Sequence, residues 1–384
     1  MYKTLLNDEE APFPYSGDTP TSESALPPMS SMTSMTPMPI PADIQEEQQR
    51  TGVARIQLSF ELDELTNTRG RLFPFLNGGK YKTCPYVLVT TIGDGDGDGD
   101  GNGGNPVKIG KTETAWNSLS TRFCEPVYIN HRIDTDDTPY VKVSVYDNRN
   151  RDQLERTLDE AGEDSNDILL CEHLLDLGSM REEIERESYS LTELLFVDKG
   201  TETLQKEQEH LYLYPSNFKI CGHYSSECNE RLEIHFRALG VKNVEKGFLN
   251  LTRTDPLFVI CKKHVGIVNK EVHWQAVYKS EHIPDHLNPL WDTDTVNLEQ
   301  LCDGNFNTTI QIEIWDYEVS GKNRIVGRLN EELTLKALMR KKALRGNADR
   351  TNALNVDEVL EDPEINPNPA GVLIILKADL CERH

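Results

Sequence analysis

The sequence predicts an all-β protein made of two consecutive copies of one antiparallel unit, and three observations carry that expectation. First, apolar and polar residues alternate over short segments. Ile310, Ile312 and Ile314 alternate with Gln311 and Glu313, and Leu232, Ile234, Phe236 and Ala238 with Arg231, Glu233, His235 and Arg237. A period of two marks strands with one buried face. Second, landmarks recur. Lys111-Thr112-Glu113 returns as Lys279-Ser280-Glu281, Leu119 falls on Leu287, Phe123 on Trp291, Tyr146-Asp147 on Trp315-Asp316, Pro85 on Pro256 and Arg55 on Arg231. The offset drifts from 176 to 168 residues, as insertions in loops make it do. Third, 384 residues leave room for two or three domains that each bury a core.

Along the chain, residues 1–52 carry SALPPMSSMTSMTPMPIPADI, rich in Pro, Ser, Thr and Met, and predict a disordered N-terminal tail. The first unit, 53–226, opens with RIQLSFEL, where Ile56, Leu58, Phe60 and Leu62 share a face, and continues with PYVLVTTI. An Asp/Gly-rich insertion follows at 93–105. It has the early acids of an EF-hand loop, but position twelve is Asn105 counted from Asp94 and Val107 counted from Asp96. A bidentate Glu is needed there, so a flexible acidic insertion is expected rather than a calcium loop. PVKIGKTE, CEPVYIN, YVKVSVYD, DILLCEHLLDL and FKICGHY read as further strands, and the charged stretch from Met180 to about Glu209 leaves room for a short helix. The second unit, 227–384, begins at RLEIHFRAL and ends on GVLIILKADL.

Composition narrows the function. The formal charge is −24, from 40 basic against 64 acidic residues, which excludes the basic field that nucleic acid requires. An anionic membrane repels such a chain unless a local patch or a bound cation reverses the sign. Eight cysteines without a CxxC pair read as reduced thiols, and neither a signal peptide nor an apolar run of 18 residues is present, so a soluble cytoplasmic protein is expected. No GxSxG, P-loop or HExxH motif appears. Neither an enzyme nor a small-molecule substrate is therefore expected. His282 and His286 stand four apart, but Pro284 between them argues against a zinc helix and for a loop.

The strand IQIEIWD delivers Asp316 and Glu318 into a loop that closes at Ser320-Gly321-Lys322-Asn323. In an antiparallel sandwich such loops gather at one end and carry function. This segment, with Asp255-Pro256-Leu257-Phe258, Asn288-Pro289-Leu290-Trp291 and Leu301-Cys302-Asp303-Gly304, resembles a C2 domain and, within that class, the second C2 domain of copines. The likeness extends from about residue 55 to the end. The von Willebrand A-like domain that follows in copines is missing from this sequence.

The resemblance implies two eight-stranded antiparallel C2-type β-sandwiches in tandem, bound peripherally to anionic phospholipid membranes, often with calcium bridging loop carboxylates to lipid. Calcium takes six to eight oxygens, which clustered carboxylates supply. The residues that match the ligand positions are Asp255, Asp316 and Glu318. Two positions depart: one falls near Leu249, and another is Arg324. A guanidinium beside a divalent cation is opposed by roughly 3 to 6 kcal/mol at an effective dielectric near 20. Arg324 is instead suited to pair with Asp255 or Asp316 and stand in for the metal. In the first copy Cys84 takes the place of Asp255 and Arg149 that of Glu318, leaving Asp147, so that copy is expected to be calcium-independent.

Basic groups supply a second expectation. Lys262, Lys263 and Lys279 are expected to share a concave face that meets lipid headgroups. Leu335–Gly346, LKALMRKKALRG, reads as an amphipathic helix with Lys336, Arg340, Lys341, Lys342 and Arg345. Each such charge contributes about 1 kcal/mol near an anionic surface. The alternatives are a solvated sheet face and a helix packed on the sandwich edge. The expected function is thus a copine-like peripheral membrane protein. The competing expectation is a calcium-independent scaffold that holds protein partners.

Overall fold

The computed structural model describes residues 52–65, 67, 82–92, 106–132, 140–149, 167–195, 217–245, 252–341, 353–359 and 367–381. The tail up to residue 51, the Asp/Gly insertion, Leu249, Lys342 and Arg345 lie outside these.

The first unit contains β1 (Val53–Asp63), β2 (Pro85–Thr91), β3 (Lys108–Lys111), β4 (Thr121–Arg122), β5 (Val127–Arg132), β6 (Tyr140–Asp147), β7 (Ile168–Asp176), α1 (Leu177–Glu187), β8 (Ser190–Leu195) and β9 (Asn217–Tyr224). One sheet runs β4-β1-β9-β8, with β5 also on β1, and the other runs β3-β2-β6-β7. The alternation of β1 places Ile56, Leu58 and Phe60 in a core with Val87 and Val89 of β2 and Val143 and Val145 of β6. Helix α1 falls in the charged stretch that predicts one. It starts where Asp176 Oδ1 accepts the Gly178 and Ser179 N–H groups at 2.9 and 3.2 Å.

The second unit contains β10 (Arg231–Leu239), β11 (Pro256–Val265), β12 (Val272–Lys279), β13 (Asp294–Asn297), α2 (Leu298–Cys302), β14 (Thr309–Asp316), β15 (Arg324–Leu329), β16 (Leu333–Thr334), α3 (Leu335–Arg340), β17 (Ala353–Asp357) and β18 (Pro369–Leu380). Its strands form one continuous order, β12-β11-β14-β15-β17-β18-β10-β13, with β16 on β14. The sheet folds over on itself, so that Phe236 of β10 meets Phe258 of β11 with ring centroids 5.1 Å apart and Trp291 closes edge-on to Phe258 at 5.0 Å. Both units are antiparallel, but among the described residues each shows nine strands where the resemblance implies eight. Two-residue strands, β4 and β16, contribute to those counts.

The repeat holds at the level of single hydrogen bonds. Phe123 N–H donates to Phe60 O at 3.0 Å, and Trp291 N–H to Phe236 O at 3.2 Å. The Thr112 and Ser280 hydroxyls accept the Val87 and Phe258 N–H groups at 3.0 and 2.9 Å. The residues aligned by counting therefore do the same backbone work in both copies. Among the described residues no helix is long and apolar enough to cross a membrane, and Cys124, Cys171, Cys221, Cys228, Cys261, Cys302 and Cys381 are free thiols.

Candidate functional site

At the tip of the second unit, antiparallel register sets the end of β14 against the start of β11, with Asp316 opposite Pro256. Asp316 is fully buried. Its Oδ1 accepts the Asp255 N–H at 2.8 Å, and its Oδ2 faces Arg324 Nη2 at 3.5 Å. Burial pushes the Asp316 carboxyl above its ordinary range, and the nearby Glu318 and Glu245 push the same way, while the Asp255 N–H and Arg324 oppose them. Arg324 also donates to Val244 O, so one guanidinium ties the loop before β11 to the end of β14.

The other two carboxylates are placed differently. Asp255 Oδ1 accepts the Asp285 N–H at 2.7 Å and thus shapes the neighbouring loop. Glu318 stands in the loop after β14, where its N–H donates to Asn323 Oδ1 at 3.0 Å and its carbonyl accepts the Gly321 N–H at 2.9 Å. Among the described residues no group of three or more His, Cys, Asp or Glu side chains could hold a metal ion. Asp316 has one oxygen on a backbone N–H and the other toward a guanidinium, so the described donor set does not fit the six to eight oxygens of calcium.

The first tip repeats the plan. Asp147 is fully buried opposite Pro85, with Oδ1 accepting the Cys84 N–H at 2.9 Å and Oδ2 3.1 Å from Arg149 Nε. Each tip thus holds a buried aspartate between a backbone N–H and an arginine.

The expected lysine face does not form. Lys262 is 1% exposed, and its Nζ lies 3.0 Å from both Asp303 Oδ2 and His223 Nε2. The reason is the period of a strand: neighbours point to opposite faces. Lys262 follows Phe258 and Ile260 and pairs with core residue Ile310, whereas Lys263 lies on the other side and binds Glu332 at 2.6 Å. Lys279 alone is exposed, at the end of β12, lining a cleft of about 490 Å³ between the two sandwiches. Helix α3 presents Lys336 and Arg340 to solvent, and Lys341 pairs with Glu331. His282 stacks on Tyr317 at 4.1 Å in a loop, and His286 Nδ1 accepts the Asn288 N–H.

Sequence reasoning missed the use made of Lys262. His223 comes from the first unit, whereas Lys262 and Asp303 belong to the second, so a buried charge cluster joins the two. Lys262, whose Nζ donates to Oδ2, and then His223, 3.3 Å from Oδ1, hold the Asp303 carboxyl far below the usual range despite its burial. Burial, then Lys262, lowers the His223 imidazole below its ordinary value, against Asp303, which raises it. The available signal was a lysine at the parity of core residues, which only a buried partner explains.

A model of the C2 domain family matches residues 235–346. Among solved structures, BON1-C2B is 21% identical and matches 40% of this chain and 92% of its own, with a TM-score of 0.30. The calcium-bound pair of C2 domains of Extended-Synaptotagmin 2 is 12% identical and matches 87% of this chain and 98% of its own, with a TM-score of 0.27. Scores this low decide nothing about the chain as a whole. The family match, by contrast, falls on the strands and loops that build the second tip, and this chain carries a C2 domain there.

Proposed function

We propose that this protein is a copine-like, non-catalytic peripheral membrane protein of the cytoplasm, and that it docks on anionic phospholipid through the tip of its C2 domain without calcium. The observation that carries this reading is the Arg324–Asp316 pair at 3.5 Å, which places a permanent cation against the buried carboxylate. A guanidinium with nearly half its surface exposed is also able to meet a lipid phosphate.

A second reading, a protein-interaction scaffold, is favoured by one observation: the lysines expected to face lipid are buried or paired, apart from Lys279. Sedimentation with phosphatidylserine vesicles separates the two. Binding that survives chelator, in wild type and in Asp316→Asn alike, is the expected result. Binding that requires calcium and vanishes in Asp316→Asn would establish a metal bridge instead. If the protein stays in the supernatant in both buffers, the scaffold reading takes over.

A further inference from the structure

The seam between the two sandwiches is built on a sheet face that strand parity makes polar. In β9 the core side chains are Phe218, Ile220 and Tyr224, so Lys219, Cys221 and His223 turn to the other face, with Glu61, Ser59 and Gln57 of β1 beside them. Gln57, Ser59, Cys221 and His223 are nevertheless buried.

Over His223 the second unit places Lys262 and His264 of β11 and Asp303 at the end of α2. Lys262 Nζ lies 3.0 Å from His223 Nε2, which is also 3.3 Å from Asp303 Oδ1. The His264 ring stands 4.5 Å from the His223 ring, with its Nε2 2.8 Å from Gln275 Oε1. Tyr189 of the first unit packs on His264 and His273 of the second at 5.8 and 6.1 Å. Three imidazoles and a phenol from the two units thus meet around one buried ammonium.

The contact between Lys262 and His223 tolerates one protonation state only. An ammonium donates and cannot accept, so His223 Nε2 must turn its lone pair to Nζ, which leaves the ring proton on Nδ1. That atom is buried and has no hydrogen-bond partner among the described residues. A proton on Nε2 would set a second cation 3.0 Å from the first, with Asp303 as the carboxylate facing both. The outlying charges are already matched: Lys219 with Glu193 at 2.8 Å, Arg55 with Glu299 at 2.9 Å and Arg122 with Glu313 at 3.2 Å. At the edge, Glu187 Oε2 accepts the Val268 and Asn269 N–H groups.

We propose that the contact of His223 with Lys262 is a pH-controlled latch, which holds the two sandwiches together at neutral pH and releases them on acidification. The proposal does not depend on the membrane reading. Burial and then Lys262 hold the imidazole below its ordinary value in the closed seam, whereas an open seam returns it to water. The open state therefore takes the proton first. Below about pH 6.5 the open fraction rises up to roughly tenfold per pH unit for each proton so linked. His264 is lowered by burial and then by His223, and His273 is pushed down to about 4, chiefly by burial, so both act in the same direction. The Glu187 carboxyl is held low by the Val268 N–H and keeps its charge as the latch opens.

Hydrogen exchange on the full chain tests this, read at two amides that cross the seam to backbone carbonyls, which do not titrate. The Leu119 N–H donates to Gly321 O at 2.7 Å, and the Ile267 N–H to Glu187 O at 3.2 Å. The comparison is wild type against His223→Gln, whose amide oxygen can accept from Lys262 and takes no proton. After correction for chemical exchange, opening at both amides should rise about tenfold more per pH unit in wild type than in the variant between about pH 6.5 and 5. Equal slopes, or seam amides in wild type that stay protected throughout, would overturn the latch. Should His223→Gln fail to fold, the imidazole signal of His223 in wild type decides. Its titration should run in step with the loss of protection at Leu119 and Ile267, and a ring that titrates while both stay protected overturns the proposal.

Discussion

The two tips solve one problem with different residues. Each sandwich ends a central strand in a buried aspartate, and that carboxylate accepts the N–H that precedes the first residue of a facing strand: Cys84 for Asp147, Asp255 for Asp316. The second oxygen meets an arginine in both, but from unrelated positions. Arg149 lies two residues beyond Asp147 in the loop, whereas Arg324 begins the strand after the loop, eight residues beyond Asp316. The backbone bond is thus common to the fold, and the source of the positive charge is free to vary. The difference also grades the tips. Arg149 sits at 3.1 Å with 28% of its side chain exposed, and Arg324 at 3.5 Å with 46%, so the second arginine is the looser and more solvent-exposed partner.

If the shared aspartate does the structural work, its removal is the largest perturbation available at either tip. Asp147→Ala orphans the buried Cys84 N–H and Asp316→Ala the half-buried Asp255 N–H, and each leaves an arginine without this carboxylate. A loss of about 2 to 4 kcal/mol is expected for each, from the cost of an unsatisfied buried donor and a broken ion pair. Urea unfolding of each variant measures this. Losses below about half a kcal/mol at one tip would break the equivalence and make that aspartate dispensable, since ordinary surface substitutions stay within that range.

The aspartates, the repeat and the strand alternation were legible because each is a local pattern or a spacing. Trp315-Asp316 and Tyr146-Asp147 end alternating segments, and the alignment of Phe123 with Trp291 is repeated in matched hydrogen bonds. The arginine opposite Asp316 was legible too, as a cation where a ligand was expected. The seam was not. Lys262-Lys263 reads as a surface pair until strand parity separates the two side chains, and nothing in the spacing announces that His223, 39 residues earlier, closes over Lys262. Contacts between the copies are made by loops whose partners no period encodes, such as Leu119 with Gly321.

A smaller effect, and one that tests the looser arginine of the second tip, is the pH dependence of Asp316. Its carboxyl is raised, chiefly by burial, so the folded protein holds that proton more tightly than the unfolded chain does. Between the unfolded value and the higher folded value the native state binds more protons, and stability rises as pH falls through that window. Asp316→Asn removes the titration. The difference in unfolding free energy between wild type and Asp316→Asn should therefore shift in favour of wild type on acidification through this window. A constant difference across it would mean that Arg324 and the Asp255 N–H fully offset the burial of Asp316.

The smallest effect expected is a gain. Replacing each arginine by a carboxylate asks whether either tip retains the remains of a calcium cage. Arg324→Asp in the second tip would bring a new carboxylate alongside Asp255, Asp316 and Glu318. Arg149→Asp in the first would stand with Asp147 but opposite Cys84, a neutral thiol that hard cations disfavour. Weak calcium binding, with a dissociation constant of roughly 10⁻⁴ to 10⁻³ M, is expected for Arg324→Asp, and none for Arg149→Asp. Isothermal titration on both variants reads this directly. Binding at the second tip alone would show that a single arginine separates it from a metal site, whereas the first has lost the donor set. Equal silence at both would mean that Asp255 and Glu318 are held by their loop bonds to Asp285 and Asn323, and that the guanidinium has replaced calcium in the architecture as well as in charge.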